Sequence, residues 1–319
     1  MSSLKKLAIR GGIWTIFGYG TSQIIRFGSN IILTRLLVPE MFGLMSLANI
    51  FLMGLQLFSD VGIQPSIVRH PRGEEPDFYN TAWTIQVIRG FMLWLGCLII
   101  AYPVSQIYNE PRLAWIVPVL GLTTLIRGFN STNLPILTRR IETGKSTRFQ
   151  IGVQVSGIII TIIWAYFHRS IWALIVGNLA GAFLSMFWSH RLTNDFPNRW
   201  AWDEEAKKEI FSFGKWIFIS TAMTFLASQI DRLMLGGLLS LEMLGVYSIA
   251  FFLSDFPNQV LKRLSGNVIL PVISKKIDQP RRELRKQILE KRQLILLLFL
   301  AGLTFLISFG DQIILFLYD

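Results

Sequence analysis

Long apolar segments follow one another along almost the whole chain, and arginines, aspartates and amides recur inside them at helical spacing. Each segment is close to the roughly 20 residues that carry an α-helix across a hydrocarbon core, where helices and closed barrels alone satisfy every backbone N–H and C=O. Nine spans are expected, at about 13–35, 41–60, 81–102, 115–137, 149–167, 171–190, 215–239, 243–261 and 293–317. With 52% hydrophobic and 16% charged residues and a mean hydropathy of +0.47, too little charge is present to cover a water-soluble surface. The expected class is therefore all-α and integral to the membrane. Polar and charged groups inside spans are costly against lipid, so they turn toward one another or toward water, which points to a transporter.

The placement of charge decides its meaning. Of the 31 lysines and arginines, 24 fall on the loops of one side and two, Arg112 and Arg169, on the other, while five (Arg26, Arg35, Arg89, Arg127, Arg232) lie within spans. Under the positive-inside rule this places the N-terminus in the cytoplasm. The net charge of +11 thus reads as a topology signal. Nucleic acid is not an expected partner; membrane lipid is, with the basic stretch Lys262–Arg292 facing anionic headgroups. The first segment follows Lys5, Lys6 and Arg10, exceeds 20 residues and lacks a small-residue cleavage site, so it reads as a retained helix. The single cysteine, Cys97, lies in an apolar stretch and excludes an internal disulfide or a cysteine metal cluster. No cofactor or metal is expected.

A repeat divides the chain. At a constant offset of 202 residues, window 12–48 matches 214–250 at ten of 37 positions, among them Gly12/Gly214, Trp14/Trp216, Leu37/Leu239, Glu40/Glu242, Met41/Met243 and Gly43/Gly245. Six spans per unit return the second unit to the side where the first began, so the repeats are parallel and related by an axis along the membrane normal. The expected domains are 1–200, a six-helix bundle, and 201–319, the first three helices of a second, incomplete one. Two complete bundles need about 400 residues, so a longer parent protein is expected.

Polar residues inside the spans form faces. Tyr19, Gln23, Arg26 and Asn30 fall at steps of four, three and four; Asn49, Gln56 and Asp60 mark the second span; Thr123, Arg127 and Asn130 mark the fourth. The fifth carries Gln150, Gln154 and Thr161, the seventh Thr221, Thr224, Ser228, Asp231 and Arg232, and the eighth Ser248, Asp255 and Gln259. Gln23, Arg26, Asn30, Arg89, Arg127, Asn130 and Arg232 are the candidate cavity residues, since arginines and amides suit anionic or sugar groups. Asp60, Asp231 and Asp255 are candidates for ion coupling, because burial raises a carboxyl pKa toward neutrality. Arg35 reads as an interfacial anchor, Asp60 and Asp255 equally as solvated caps, and single Ser, Thr and Asn residues equally as contacts between helices.

Two enzymatic motifs fail, one on spacing and one on its setting. Gly144, Lys145 and Ser146 imitate the end of a phosphate-binding loop, but Arg139 stands where its first glycine belongs. His190 and Asp195 have an acyltransferase-like gap but begin a basic loop. The chain reads as a transporter and not an enzyme. Trp83, Trp115, Trp164, Trp172, Trp200, Trp202 and Trp216 fall near span ends, as an interfacial belt requires.

The run Ile32–Leu44, with Leu33, Thr34, Arg35, Leu36, Leu37, Val38, Pro39, Glu40, Met41, Phe42 and Gly43 inside it, is similar to the signature after the first helix of the Wzx-like polysaccharide flippases, a branch of the multidrug/oligosaccharidyl-lipid/polysaccharide superfamily. Trp14, the Asp60, Val61, Gly62 turn with Ile67, Val68 and Arg69, and the stretch Leu244–Ala250 fit the same family. The resemblance implies two six-helix bundles around a cavity of alternating exposure in the bacterial inner membrane. It implies a lipid-linked oligosaccharide, an O-antigen or exopolysaccharide unit on a polyprenyl pyrophosphate, flipped from the cytoplasmic to the periplasmic leaflet. Polysaccharide polymerase or export machinery are the partners it suggests. A multidrug cation/H+ antiporter and a lipid II type flippase of the same superfamily are the alternatives.

Overall fold

The computed structural model of the protein describes residues 3–193 and 195–264, with a few single positions beyond. Among the described residues all regular structure is helical: α1 (Ser3–Leu36), α2 (Pro39–Phe58), α3 (Ile63–Arg69), α4 (Pro76–Ile107), α5 (Leu113–Gly128), α6 (Asn133–Arg139), α7 (Thr143–Phe167), α8 (Trp172–Ser189), α9 (Glu204–Leu238) and α10 (Leu241–Leu264). Helix occupies each of the first eight expected spans, and the ninth, 293–317, falls outside the described residues apart from single positions.

By length and apolarity α2, α4, α7 and α8 can cross a bilayer, and α5 with α6, bent by 58° where they meet, passes the same test as a pair. The expected unbroken helix at 115–137 is thus corrected to two pieces. The helices over the first and seventh expected spans, α1 and α9, carry Arg26 and Arg35, and Asp231 and Arg232, which lower their apolarity. Proline opens α2 and α4, where the first-turn N–H groups lack helical partners in any case. The Asp203 carboxylate caps α9 by accepting from Ala206 N at 2.7 Å.

Residues 1–246 form one compact unit, and 247–319 a second, in which the described part is the remainder of α10 and a few positions beyond it. Within the first unit α4 pairs with α5, α7 with α8 and with α1, and α9 lies on α2 and α4. Close approach depends on small residues: a Cβ on Gly90 would meet the backbone at Thr124 and Gly128, and one on Gly157 the backbone at Gly177 and Gly181. Polar residues of α7 serve the same packing. Gln154 Nε2 donates to Ser22 O of α1 at 2.9 Å, and Thr161 donates to Gly157 O beside Gly177.

One contact repeats itself at the 202-residue offset. A Cβ on Gly43 would meet Leu241 O, and one on Gly245 would meet Pro39 O, so each glycine receives the carbonyl at the start of the other's helix.

Two apolar clusters bracket an opening. Leu44, Leu47, Val104, Leu113, Ile116 and Leu120 are buried together at one end, and Ile63, Ile67, Phe78, Ile85, Ile136 and Ile210 at the other. Gln86 and Arg89, between the two clusters along α4, and Thr124 and Arg127 of α5 face a cavity.

Candidate substrate cavity

The cavity exists because two helices are interrupted side by side. α2 stops at Phe58; Asp60 Oδ1 accepts from Gly62 N at 2.9 Å, and Gly62, at φ 71°, takes the left-handed turn that starts α3. A side chain from α4 closes the end of α2: Arg89 donates Nη2 to Gln56 O at 2.6 Å and Nε to Ser59 Oγ at 3.0 Å. A cation at a helix C-terminus meets the negative end of the backbone dipole.

The second interruption, between α5 and α6, exposes more backbone. Gln86 Nε2 donates to Gly128 O and Asn130 O, both at 2.9 Å, and His190 Nε2 lies 2.8 Å from Phe129 O. The amides beyond are met by Ser189 Oγ, which accepts from Ser131 N at 2.9 Å, and Asn198 Oδ1, which accepts from Thr132 N at 3.3 Å. Non-helical backbone at membrane depth persists only where protein or a watery cavity satisfies it, and here side chains of other elements do so.

Between the interruptions lies a cavity of about 590 Å³. Polar residues share its wall with Ile63, Leu93 and Leu134: Gln56 and Asp60 from the end of α2, Gln64 from α3, Gln86 and Arg89 from α4, Arg127 from α5, Asn130 and Ser131 from the break, and Ser185 from α8. Two arginines oppose one carboxylate, so the wall carries a net positive charge. Arg127 is solvent-exposed at this wall, and no partner for its guanidinium is found among the described residues. Asn130 Nδ2 donates to Ser185 Oγ at 3.2 Å, while its Oδ1 is buried without a hydrogen-bond partner. Such a wall offers donors to an anion and amides and hydroxyls to a polyol.

Several charges outside the spans are paired. The Arg140 hydrogen bond holds the Glu74 carboxyl below the ordinary glutamate range, and Arg112 does the same to Glu110 while also reaching Glu40. Arg72 faces Glu75, Glu205 and Glu209, and its own pKa is raised, chiefly by the Glu75 hydrogen bond. Arg139 donates to Ile67 O, Val68 O and Pro71 O at 3.2 to 3.3 Å and also to His70 O, which ties the end of α6 to the end of α3.

The structure brings together Asp60, Arg89, Arg127 and Asn130 from the expected set. Gln23, Arg26 and Asn30 lie on α1 and do not line this cavity; Gln23 is buried. Arg232, whose Nη1 lies 3.5 Å from Gln229 Oε1, and Asp231 lie on α9, and Asp255 belongs to the second unit. Gln86, Gln64 and Ser185 went unrecognised. Gln86 carried a signal, because it precedes Arg89 by three residues on one helix face. Trp83 departs from the expected interfacial belt: it is 7% exposed and packs against Phe129 and Trp200 behind the break. His190 is held by its bond to the break.

The apolar helices and interrupted spans define a multi-pass helical membrane protein. A family model described as "Polysaccharide biosynthesis protein" matches residues 32–319, and the chain belongs to that family, in agreement with the Wzx-like resemblance. The chain is 22% identical over 317 residues to the "Succinoglycan biosynthesis transport protein ExoT" of Rhizobium meliloti, covering 96% of itself and 63% of that relative. It is 19% identical to the "Lipopolysaccharide biosynthesis protein WzxC" of Escherichia coli, covering 86% and 56%, and 19% identical to the "Teichuronic acid biosynthesis protein TuaB" of Bacillus subtilis, covering 98% and 65%. The chain thus spans less than two thirds of the length of these relatives. No solved structure matches it.

Proposed function

We propose that the protein takes part in flipping a polyprenyl-pyrophosphate-linked oligosaccharide from the cytoplasmic to the periplasmic leaflet of the bacterial inner membrane, with its N-terminus in the cytoplasm. The observation that carries this reading is Arg127, exposed at the wall of a polar cavity beside the orphaned acceptor of Asn130. An anionic headgroup supplies what the guanidinium lacks, and sugar hydroxyls supply donors to Asn130 Oδ1. In this reading residues 1–200 and 201–319 belong to two parallel-repeat bundles. The reciprocal contact of Gly43 and Gly245 supports that arrangement.

Gln23, Arg26, Asn30 and Arg232 then belong to the path beyond the cavity, and Asp60, Asp231 and Asp255 to coupling with an ion. Polysaccharide polymerase or export machinery are the proposed partners. Two arginines against one aspartate disfavour the organic cations of a drug exporter, whose site needs carboxylates and aromatic faces.

The test replaces Arg127 with Ala in cells whose surface polysaccharide depends on this gene. Losing charge-assisted hydrogen bonds worth about 1.5–3 kcal/mol predicts a drop of tenfold or more in exported polysaccharide at unchanged protein level. Unchanged polysaccharide overturns the arginine's role, and lost drug resistance in its place would favour the exporter.

A further inference from the structure

A second, apolar pocket of about 410 Å³ adjoins the polar cavity. Leu55, Phe58, Ile88, Met92 and Phe211 form its wall, from α2, α4 and α9. The two spaces share Arg89 and Leu93 of α4. Arg89 therefore stands between a polar chamber and an apolar one. A guanidinium has five N–H groups. Two of them meet Gln56 O and Ser59 Oγ, which leaves three for a ligand.

A polar chamber, a cation at the junction and an apolar chamber reproduce, in order, the parts of an amphiphile with an anionic group between its head and its hydrocarbon. Met92 is 66% exposed and Ile88 42%, so the apolar wall is open to a chain arriving from the bilayer. Both volumes lie in the range of ligand pockets.

We propose that the apolar pocket holds the first hydrocarbon segment of a lipid pyrophosphate whose anionic group sits on Arg89 and whose headgroup fills the polar cavity. This assignment rests on the substrate reading given above and adds the route of the tail, between α2, α4 and α9. Because hydrocarbon is as apolar in lipid as in the pocket, the pocket's contribution is position, and position is what the test reads.

A prenyl pyrophosphate with a photoreactive diazirine on its first isoprene unit is irradiated with the full chain in nanodiscs, and the labelled peptide is mapped. The expected result is labelling within Ile88–Leu93 that inorganic pyrophosphate displaces at lower concentration than phosphatidylglycerol does. Met92→Trp, which fills an exposed position, should lower that labelling about tenfold while the protein remains monodisperse. Labelling there that phosphatidylglycerol displaces more readily means bulk lipid occupies the pocket, and overturns the proposal. Undiminished labelling in Met92→Trp also overturns it. Labelling elsewhere that pyrophosphate displaces overturns the tail route and leaves the polar cavity standing. If pyrophosphate displaces no label at any site, the anionic-headgroup reading falls and takes the tail route with it.

Discussion

The two interruptions that frame the cavity are built in opposite ways. In the α2–α3 break the turn itself is held by its own neighbours, Asp60 accepting from Gly62 N and Ser66 Oγ donating back to Gly62 O at 2.8 Å, while the distant Arg89 and Thr221 reach only the end of α2, at Gln56 O and Leu57 O. The α5–α6 break is closed by Gln86, Ser189, His190 and Asn198, each more than 40 residues away in sequence. A turn held by local bonds can form with its helix, whereas backbone held by distant side chains is satisfied only after α4, α8 and the following loop have assembled. Arg127 and Asn130 flank the second kind. The groups that give the cavity its character are thus positioned by tertiary packing, and disturbing that packing should cost more than disturbing the local turn.

The largest difference is expected from Gln86→Leu. It removes the donor of two carbonyls in the α5–α6 break, and each buried acceptor left unpaired costs about 1–3 kcal/mol. Thermal unfolding in detergent should therefore show a loss of a few kcal/mol, with altered accessibility of a cysteine placed at Ser185. The matched change in the other break, Asp60→Ala, removes one turn bond and should cost about 0.5–1.5 kcal/mol. Equal losses in the two variants would remove the distinction.

Arg139→Leu should fall next. Its guanidinium meets four carbonyls at the end of α3 from the last residue of α6, so it joins one break to the other. Hydrogen bonds to a charged donor contribute about 1.5–3 kcal/mol, and a loss of that size is expected, with both breaks loosened together in hydrogen exchange. Loosening confined to α3 would show that the two breaks are independent.

What could be read from the sequence follows the same division. Helix over the first eight expected spans rests on periodicity, and the structure has helix there; the Asp60–Gly62 turn rests on the family resemblance, and Gly62 N bonds Asp60 in it; Arg127, from a polar stripe, lines the cavity. The α5–α6 break was not legible, because Asn130 to Thr132 lie within an apolar stretch that reads as one span and their partners are distant. Gln86 and Ser185 were missed for the same reason: each acts through backbone or amides that no sequence period brings near. Trp83 sits near a span end, but Trp200 and Phe129 cover it, which only tertiary contact reveals.

Gly62→Ala tests the local break with a smaller effect. At φ 71° an alanine Cβ crowds the backbone, at a cost of about 1–2 kcal/mol. Gly62→Asn should lose less, since Asn enters the left-handed region more readily. If the two variants lose the same stability, the strain lies elsewhere than in φ.

The smallest effect belongs to the ion pair that joins the loop before α4 to the end of α6. Glu74 accepts from Arg140 at 2.7 and 3.1 Å, and that bond holds its pKa below the ordinary glutamate value of 4.5. A depressed carboxyl pKa means that the folded state binds the proton less readily than the unfolded state. The stabilisation is then complete at neutral pH and disappears as pH falls from the ordinary value through the folded one. The Glu74 side chain is 33% exposed and Arg140 40%, so solvent screening limits the contribution to less than about 1 kcal/mol. Glu74→Gln should therefore be slightly less stable than the parent at pH 7, with the gap closing on acidification below the ordinary carboxyl range. A gap that stays constant into acid would place the effect in packing. The tie between the two breaks would then rest on Arg139 and its four carbonyls, with no contribution from the neighbouring charge pair.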